Sequence, residues 1–266
     1  MHRNRPPQHE RIECFAGGLN DEDATRRLVE GCDAVVHAGL ARGSKSFIAV
    51  PEDPVGYYET NVVGSLRLIE AAVKAGVERF VIVSSGAVHA TVLTDRPLDE
   101  SHPMLPNTLY GATKAAVENL AHAYAATSKL QIANLRPVAI YGVDHPVERS
   151  RWYETIASAV AGGTVDIQGG GKVVHTSDVA RAVTHLLDTD SNIAGQTYNC
   201  CQRFVSFAEI AEIVSKVLGR AVKTSGQPKE VGNEMQTSRL KELGFQFSGD
   251  ECLRQTIETI VQKIAA

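Results

Sequence analysis

The most visible deficit in the sequence is the lack of long apolar segments. No run of about 18 apolar residues, the length that a membrane-spanning helix needs, occurs anywhere in the chain. The first ten residues, MHRNRPPQHE, are polar and lack the apolar segment of a secretory signal. These absences predict a protein that neither spans a membrane nor is exported by that route, and we expect it in the cytoplasm.

Paired cysteines and clustered positive charge are also lacking. The five cysteines show no Cys-x-x-Cys spacing and are odd in number, which is typical of reduced thiols rather than of a disulfide framework or a zinc site. The net charge is −4 and no Lys- or Arg-rich run occurs, which argues against nucleic acid or a membrane surface as a partner. A small molecule is the expected partner, and no metal site is predicted.

The segments that are present alternate between strand-like and helix-like patterns. Short apolar runs such as 79–83 (RFVIV) are typical of buried strands, and apolar residues at helical spacing between 54 and 76 are typical of a long helix. Such alternation predicts the β-α-β units of a parallel sheet and therefore an α/β fold. The predicted strands are 11–16, 34–37, 79–83, 131–136 and 196–200, and the predicted helices are 20–31, 54–76, 109–127, 151–161, 177–187, 206–219 and 251–264, with a turn at 169–171.

Tyr110 and Lys114 are the first candidates for chemistry. They lie four residues apart on a predicted helix, which places them on one face. A positive charge beside a phenol favours the phenolate, so we expect Lys114 to lower the pKa of Tyr110 and to suit it to acid/base catalysis. The same spacing also arises by chance on solvated helix faces, so the pair alone does not define a site.

Two further polar positions strengthen this interpretation. Ser84 and Ser85 directly follow the predicted strand 79–83, at the edge where parallel sheets bind ligands, although serines at a strand exit also serve as turn or cap residues. Asn61 lies within an otherwise apolar helix, where its amide competes for backbone partners. Either Asn61 faces solvent, or it binds backbone at the active site.

The order of several motifs resembles the NAD-dependent epimerase/dehydratase family, the extended branch of the short-chain dehydrogenases/reductases. The resemblance runs from about residue 11 to the C-terminus, and each motif is ordinary by itself. The motifs are 33–37 (DAVVH), Asn61-x-x-Gly64, 81–85 (VIVSS), 110–114 (YGATK), 135–142 (LRPVAIYG), 174–178 (VHTSD) and 195–199 (GQTYN).

This resemblance implies a fold and an activity. The fold would be a Rossmann-like doubly wound parallel sheet in residues 1–142, which would hold the cofactor and the catalytic residues. Residues 143–266 would form mostly a small substrate-binding lobe, with some elements returning to the core sheet. The activity would be hydride transfer between NAD or NADP and a secondary alcohol or carbonyl, and the alternative is a non-catalytic relative that acts as a binding or regulatory protein.

The resemblance also implies roles for matched residues. Tyr110 would be the acid/base at the substrate oxygen, Ser85 would bind the same oxygen, and Lys114 would hold the nicotinamide ribose. Asn61 would organise the loop beneath. The cofactor would contact Leu19, Ala38, Gly39, Leu40, Asn61, Ser84, Tyr110, Lys114, Pro137 and Val138.

The sequence departs from the family pattern at its beginning. No G-x-x-G-x-x-G turn occurs, although members of the family hold the cofactor pyrophosphate with such a turn at a helix N-terminus. We expect either a fragment that lacks roughly 40 N-terminal residues, the usual length of a β-α-β unit, or a protein that has lost normal cofactor binding. In both cases the expected sheet is N-terminally truncated.

Smaller departures concern the substrate and the partner. Ala139 and Gly171 stand where sugar-nucleotide epimerases carry an Asn and an Arg for the diphosphate, and Lys172 does not replace an Arg in kind. The sequence therefore favours a smaller sugar, a lactone or a carbonyl compound over a sugar nucleotide. By resemblance, we also expect a homodimer that pairs helices 54–76 and 109–127.

Overall fold

A computed structural model describes residues 11–44 and 46–265. The strands are β1 (Ala34–His37), β2 (Arg79–Val83), β3 (Gln131–Pro137), β4 (Ala139–Tyr141), β5 (Thr164–Asp166), β6 (Gly170–His175), β7 (Thr197–Cys200), β8 (Arg203–Ser206) and β9 (Lys223–Ser225). The α-helices are α1 (Glu22–Val29), α2 (Pro54–Tyr58), α3 (Gly64–Ala75), α4 (Leu109–Thr127), α5 (Tyr153–Val160), α6 (Thr176–Asp188), α7 (Phe207–Leu218), α8 (Ser238–Glu242) and α9 (Asp250–Ala265). A π-helical turn, Glu59–Val63, joins α2 to α3.

The chain divides into two compact units whose segments interleave. The first contains the described residues up to Val92, then Pro103–Arg136 and Val183–Tyr198, and the second contains Leu93–His102, Pro137–Ala182 and the residues from Asn199 onward. The predicted division at residue 142 stays a prediction. No helix of the described segments is both long and apolar enough to cross a membrane.

The first unit is built on a sheet in the order β1-β2-β3-β7, in which β1 pairs with β2 and β2 with β3 in parallel. The apolar run of β2 is buried, with Phe80 and Ile82 packed against Ile69 and Ala72 of α3. The helix α3 ends at Gly76, whose φ of 74° permits the left-handed C-cap. Parallel pairing brings the carboxyl ends of β1, β2 and β3 to one edge of the sheet, where the site residues follow.

The prediction of a strand at residues 11–16 is wrong. This segment contains no strand, and its apolar side chains Ile12 and Phe15 are exposed. A strand needs a neighbouring strand for its backbone hydrogen bonds, and residues 11–16 join no sheet of the described residues. The strand β1 lies at the edge of the sheet, and its Val36 is 44% exposed.

The second unit contains the strand orders β4-β6-β8 and β5-β9. Its core packs α5, α7 and α9 together around Ile156, Ile210 and Ile257. The predicted turn at 169–171 is wrong in part, because Gly170 and Gly171 begin β6 and pair with β8. Glycine is needed for close packing here, since a Cβ on Gly170 would lie 2.7 Å from the Phe204 ring.

Candidate active site

Close packing between α4 and the turn after β2 creates the site. The strand β2 leads into Ser84 and Ser85, and Ser85 caps a 3-10 turn by accepting a hydrogen bond from the Ala87 N–H at 3.2 Å. The helix α4 begins beside this turn, and a Cβ on Gly111 would lie only 2.6 Å from the Ala87 carbonyl oxygen. Glycine next to Tyr110 therefore lets the phenol approach Ser85.

Tyr110 is half-buried and shares a side-chain hydrogen bond with Ser85. Burial raises the pKa of Tyr110 above its ordinary value, while the hydrogen bond to Ser85 and the charge of Arg42 lower it in part. The expectation that Lys114 lowers this pKa is not met, because burial outweighs the groups that lower it, and these are Ser85 and Arg42 rather than Lys114. The structure thus keeps Ser85 and Tyr110 together and adds Arg42 as the cation that favours the phenolate.

Lys114 lies one turn further along α4 and is buried, with 9% of its surface exposed. Its Nζ donates to the Val83 carbonyl oxygen at 2.8 Å. Burial lowers the pKa of Lys114 to about 8, and the charge of Glu118 opposes this shift. An ammonium carries three donors, and the structure identifies one acceptor within the described segments. The remaining donors fit hydroxyl groups such as those of a nicotinamide ribose.

Asn61 is buried and binds backbone, so the solvent-facing alternative is excluded. Its Oδ1 accepts from the Ala41 N–H at 2.9 Å, and its Nδ2 donates to the Ala41 carbonyl at 3.0 Å and to the Tyr57 carbonyl at 2.9 Å. Asn61 lies in the π-helical turn, a feature that often marks functional sites. It therefore clamps the loop that follows β1.

His37 and Ser65 support this clamp and were not predicted to take part. The Ser65 hydroxyl donates to the Asn61 carbonyl at 2.5 Å, and His37 Nε2 lies 2.7 Å from Ser65 Oγ. Burial, reinforced by the charge of Lys114, lowers the pKa of His37 to about 4, so the imidazole is neutral near pH 7. A neutral His37 with hydrogen on Nε2 can donate to Ser65.

A second buried network lies behind Ser84 and was also missed from the sequence. The Ser84 hydroxyl donates to Glu118, and Arg136 pairs with the same carboxylate through Nη2 at 2.6 Å and through Nε. Arg136 also lies 2.8 Å from His89 Nε2. The Ser84 side chain is thus committed to the interior, and its backbone N–H donates to the Leu135 carbonyl at 2.7 Å. The predicted contact of Ser84 with the cofactor stays a prediction.

The loop after β1 carries the other predicted cofactor residues. Gly39 and Leu19 lie close together, since a Cβ on Gly39 would lie 4.0 Å from Leu19 Cδ1. Leu19 also packs on the helix, because a Cβ on Gly64 would lie 2.6 Å from Leu19 Cβ. Ala38 and Leu40 flank Gly39. Leu19 and this loop therefore lie together beside the start of α3, directly after the π-helical turn that contains Asn61.

Pro137 and Val138 belong to the second unit. Pro137 ends β3, and the Val138 N–H donates to the Cys200 carbonyl at 3.2 Å. Their predicted contact with the nicotinamide stays a prediction. No group of three or more His, Cys, Asp or Glu side chains that could hold a metal ion occurs within residues 11–44 and 46–265.

Similar proteins identify the family. The NAD dependent epimerase/dehydratase family matches residues 2–201. Cinnamoyl-CoA reductase 2 of Medicago truncatula is 25% identical over 96% of this chain and 77% of its own length. UDP-glucose 4-epimerase of Rhizobium meliloti (strain 1021) is 30% identical over 54% of this chain, and the match spans half of that enzyme.

Solved structures show the same fold. RMD from Pseudomonas aeruginosa, solved with NADPH, superposes with a TM-score of 0.75 at 22% identity, over 94% of this chain and 87% of its own. The predicted Rossmann-like α/β fold is thereby confirmed, and the family match confirms an enzyme of the epimerase, dehydratase or reductase type with a nicotinamide cofactor. The chain belongs to the NAD dependent epimerase/dehydratase family.

Proposed function

We propose that this protein transfers hydride reversibly between NAD or NADP and a secondary alcohol or carbonyl carbon of a sugar or related small molecule, with Tyr110 as the acid/base. The observation that carries the proposal is the hydrogen bond between Tyr110 and Ser85 at the carboxyl end of β2. Because the hydroxyl groups of Tyr110 and Ser85 lie within hydrogen-bonding distance of each other, both can bind the same substrate oxygen. Lys114 lies one turn away with donors to spare.

The protonation states of the site support this role. When bound, the nicotinamide supplies the hydride donor or acceptor. Tyr110 would protonate the substrate oxygen during reduction, and the raised pKa keeps its phenol protonated near neutral pH. During oxidation Tyr110 would take the proton back, and the hydrogen bond from Ser85 and the charge of Arg42 favour the phenolate that this step requires.

The substrate class is open between two candidates. The absence of Asn and Arg at positions 139 and 171 favours a small sugar, a lactone or a carbonyl compound. A sugar nucleotide is the second candidate, because a guanidinium still reaches this position within the second unit. A Cβ on Gly171 would lie 4.0 Å from Arg151 Nη2, and guanidinium groups bind phosphates well.

We also propose that the protein is a cytoplasmic homodimer formed through residues 54–76 and 109–127. Apolar side chains on these helices are exposed, among them Val55 at 68% and Tyr58 at 44%, and exposed apolar patches often mark interfaces. Light scattering at micromolar concentration tests the dimer, and a monomer there would contradict it.

The catalytic proposal is tested with Tyr110→Phe, assayed by NADH and NADPH absorbance against a panel of sugars, lactones and carbonyl compounds. We expect turnover to fall by about 10²–10⁴-fold, the usual contribution of a general acid/base. Tyr153→Phe is the matched control, because the Tyr153 ring on α5 packs against the core of the second unit and lies outside the helices proposed for the dimer. Full turnover in Tyr110→Phe would contradict the proposal, and cofactor binding without any turnover would favour the non-catalytic alternative.

A further inference from the structure

Two side chains of residues 40–44 and 46–51, here called the cap loop, stack over the Tyr110 ring. The Phe47 ring lies 4.7 Å from the Tyr110 ring, centroid to centroid, at an interplanar angle of 38°. The guanidinium carbon of Arg42 lies 5.0 Å from the centroid of Phe47 on this loop. The Phe47 ring therefore lies between the Arg42 guanidinium and the Tyr110 phenol.

The backbone on both sides of Arg42 is fixed. Asn61 clamps Ala41 through its N–H and its carbonyl oxygen. On the other side, a Cβ on Gly43 would lie 2.5 Å from Pro51 Cβ and 2.9 Å from Tyr57 Cδ2, so the chain passes closely there. The position of the Arg42 backbone is thus set by the same asparagine that anchors the site.

The cap loop is positively charged. Its described residues include Arg42 and no Asp or Glu. Asp53, just beyond the loop, is used as the N-cap of α2, where it accepts from the Gly56 N–H at 3.0 Å. None of the ion pairs formed within the described segments involves Arg42. A cation beside a reaction centre that has no acidic partner among the described residues is suited to an anionic ligand.

In the structure, Phe47 fills the space against Tyr110. The pocket lined by the cap loop, Tyr57 and Tyr110 has a volume of about 10 Å³, which is room for about one water molecule and not for a sugar. A substrate group that contacts both Arg42 and the Tyr110 ring therefore needs Phe47 to move aside. The exposure of Phe47 and of its neighbour Ile48, 47% and 80%, leaves these side chains room to move outward.

We propose that Arg42 binds an acidic group of the substrate, a carboxylate or a phosphate, beside the carbon that reacts at Tyr110, and that Phe47 moves aside to admit it. This inference rests on the proposed function, because a reaction at Tyr110 is what makes the neighbouring position a substrate site. The planar guanidinium suits both acids, since each offers two oxygens for a paired hydrogen bond.

The test is calorimetric titration of the full chain with D-glucuronate, D-glucose 6-phosphate and neutral D-glucose, with and without NAD⁺. We expect at least one acid to bind more tightly than glucose. In Arg42→Gln we expect the Kd of that acid to rise about 10-fold, the loss of one charge-assisted contact. Arg42→Lys should keep part of the affinity that Arg42→Gln loses. The control is Arg26→Gln, which changes an exposed arginine on α1 and should bind the acid as tightly as the wild type.

The outcomes separate the sources of the acid and the two proposals. Preference for glucuronate identifies a carboxylate, and preference for glucose 6-phosphate identifies a phosphate. If no acid binds more tightly than glucose, or if Arg42→Gln binds the acid as well as wild type, the inference is overturned. Because these titrations require no turnover, Arg42-dependent binding combined with turnover unaffected by Tyr110→Phe would overturn the proposed function alone.

Discussion

The helix α4 carries two buried charged groups four residues apart, and their surroundings differ. Glu118 is fully buried, and its carboxylate accepts from Ser84 and from two nitrogens of Arg136. Lys114 donates to one backbone carbonyl, and burial lowers its pKa to about 8. The carboxylate is saturated with hydrogen bonds, whereas the ammonium keeps donors to spare. We infer that the hydrogen bonds of Glu118 stabilise the fold and that the remaining donors of Lys114 bind a ligand.

The largest effect is expected when the saturated network is broken. Glu118→Gln leaves the buried Arg136 guanidinium without a counter-charge, and we expect the free energy of unfolding to fall by about 3–5 kcal/mol. Urea denaturation measures this loss.

The matched control is the exposed pair between Glu212 and Lys216 on α7. Glu212→Gln should lower the free energy of unfolding by less than about 0.5 kcal/mol, because exposed pairs contribute little. Equal losses in the two variants would remove the contrast between buried and exposed pairs.

The second effect concerns Lys114 and depends on pH. Its folded pKa, about 8, lies below the ordinary value of 10.5, so the unfolded chain binds more protons between these values. The buried ammonium therefore lowers the free energy of unfolding at pH 8 and below, and this penalty disappears as pH rises towards 10.5. The gain is on the order of 3 kcal/mol.

Lys114→Met removes this titration. The free energy of unfolding of the wild type minus that of Lys114→Met should therefore rise between pH 8 and 10.5, as measured by urea denaturation at several pH values. A difference that is flat over this range would show that burial does not penalise the ammonium.

The third and smallest effect concerns the loop clamp. Asn61→Ala leaves the Ala41 N–H and carbonyl without their partner, and we expect a loss of about 2 kcal/mol. Asn119→Ala on α4 is the control, because the one acceptor that Asn119 has among the described residues is the Ala115 carbonyl, one turn earlier. Its effect should stay below about 0.5 kcal/mol. If both variants lose the same amount in thermal or urea unfolding, Asn61 does not clamp the loop.

Local patterns predict the elements that hold the candidate catalytic residues. The apolar run 79–83 predicts the strand β2. Residues 109–127 are predicted as the helix α4, on which Tyr110 and Lys114 lie one turn apart. The neighbouring serines could be placed because the carboxyl end of a parallel strand is known from the order of elements. Such features depend on residues near in sequence.

The parts that could not be predicted depend on distant partners. Arg136 and Glu118 are 18 positions apart, and Phe47 reaches Tyr110 from a loop without periodicity. The π-helical turn at Asn61 has no signal in composition. The pKa of Tyr110 was predicted in the wrong direction, because spacing identifies a neighbouring charge but does not give the burial that outweighs it.

The central claim is that Lys114 is kept for a cofactor rather than for the fold. The most direct measurement is calorimetric titration of NAD⁺ and NADP⁺ into the wild type and Lys114→Met. We predict that the wild type binds at least one of them, that Lys114→Met binds it at least about 10-fold more weakly, and that this variant is no less stable at pH 7. Equal affinity in both proteins, or a loss of stability as large as that of Glu118→Gln, would contradict the claim.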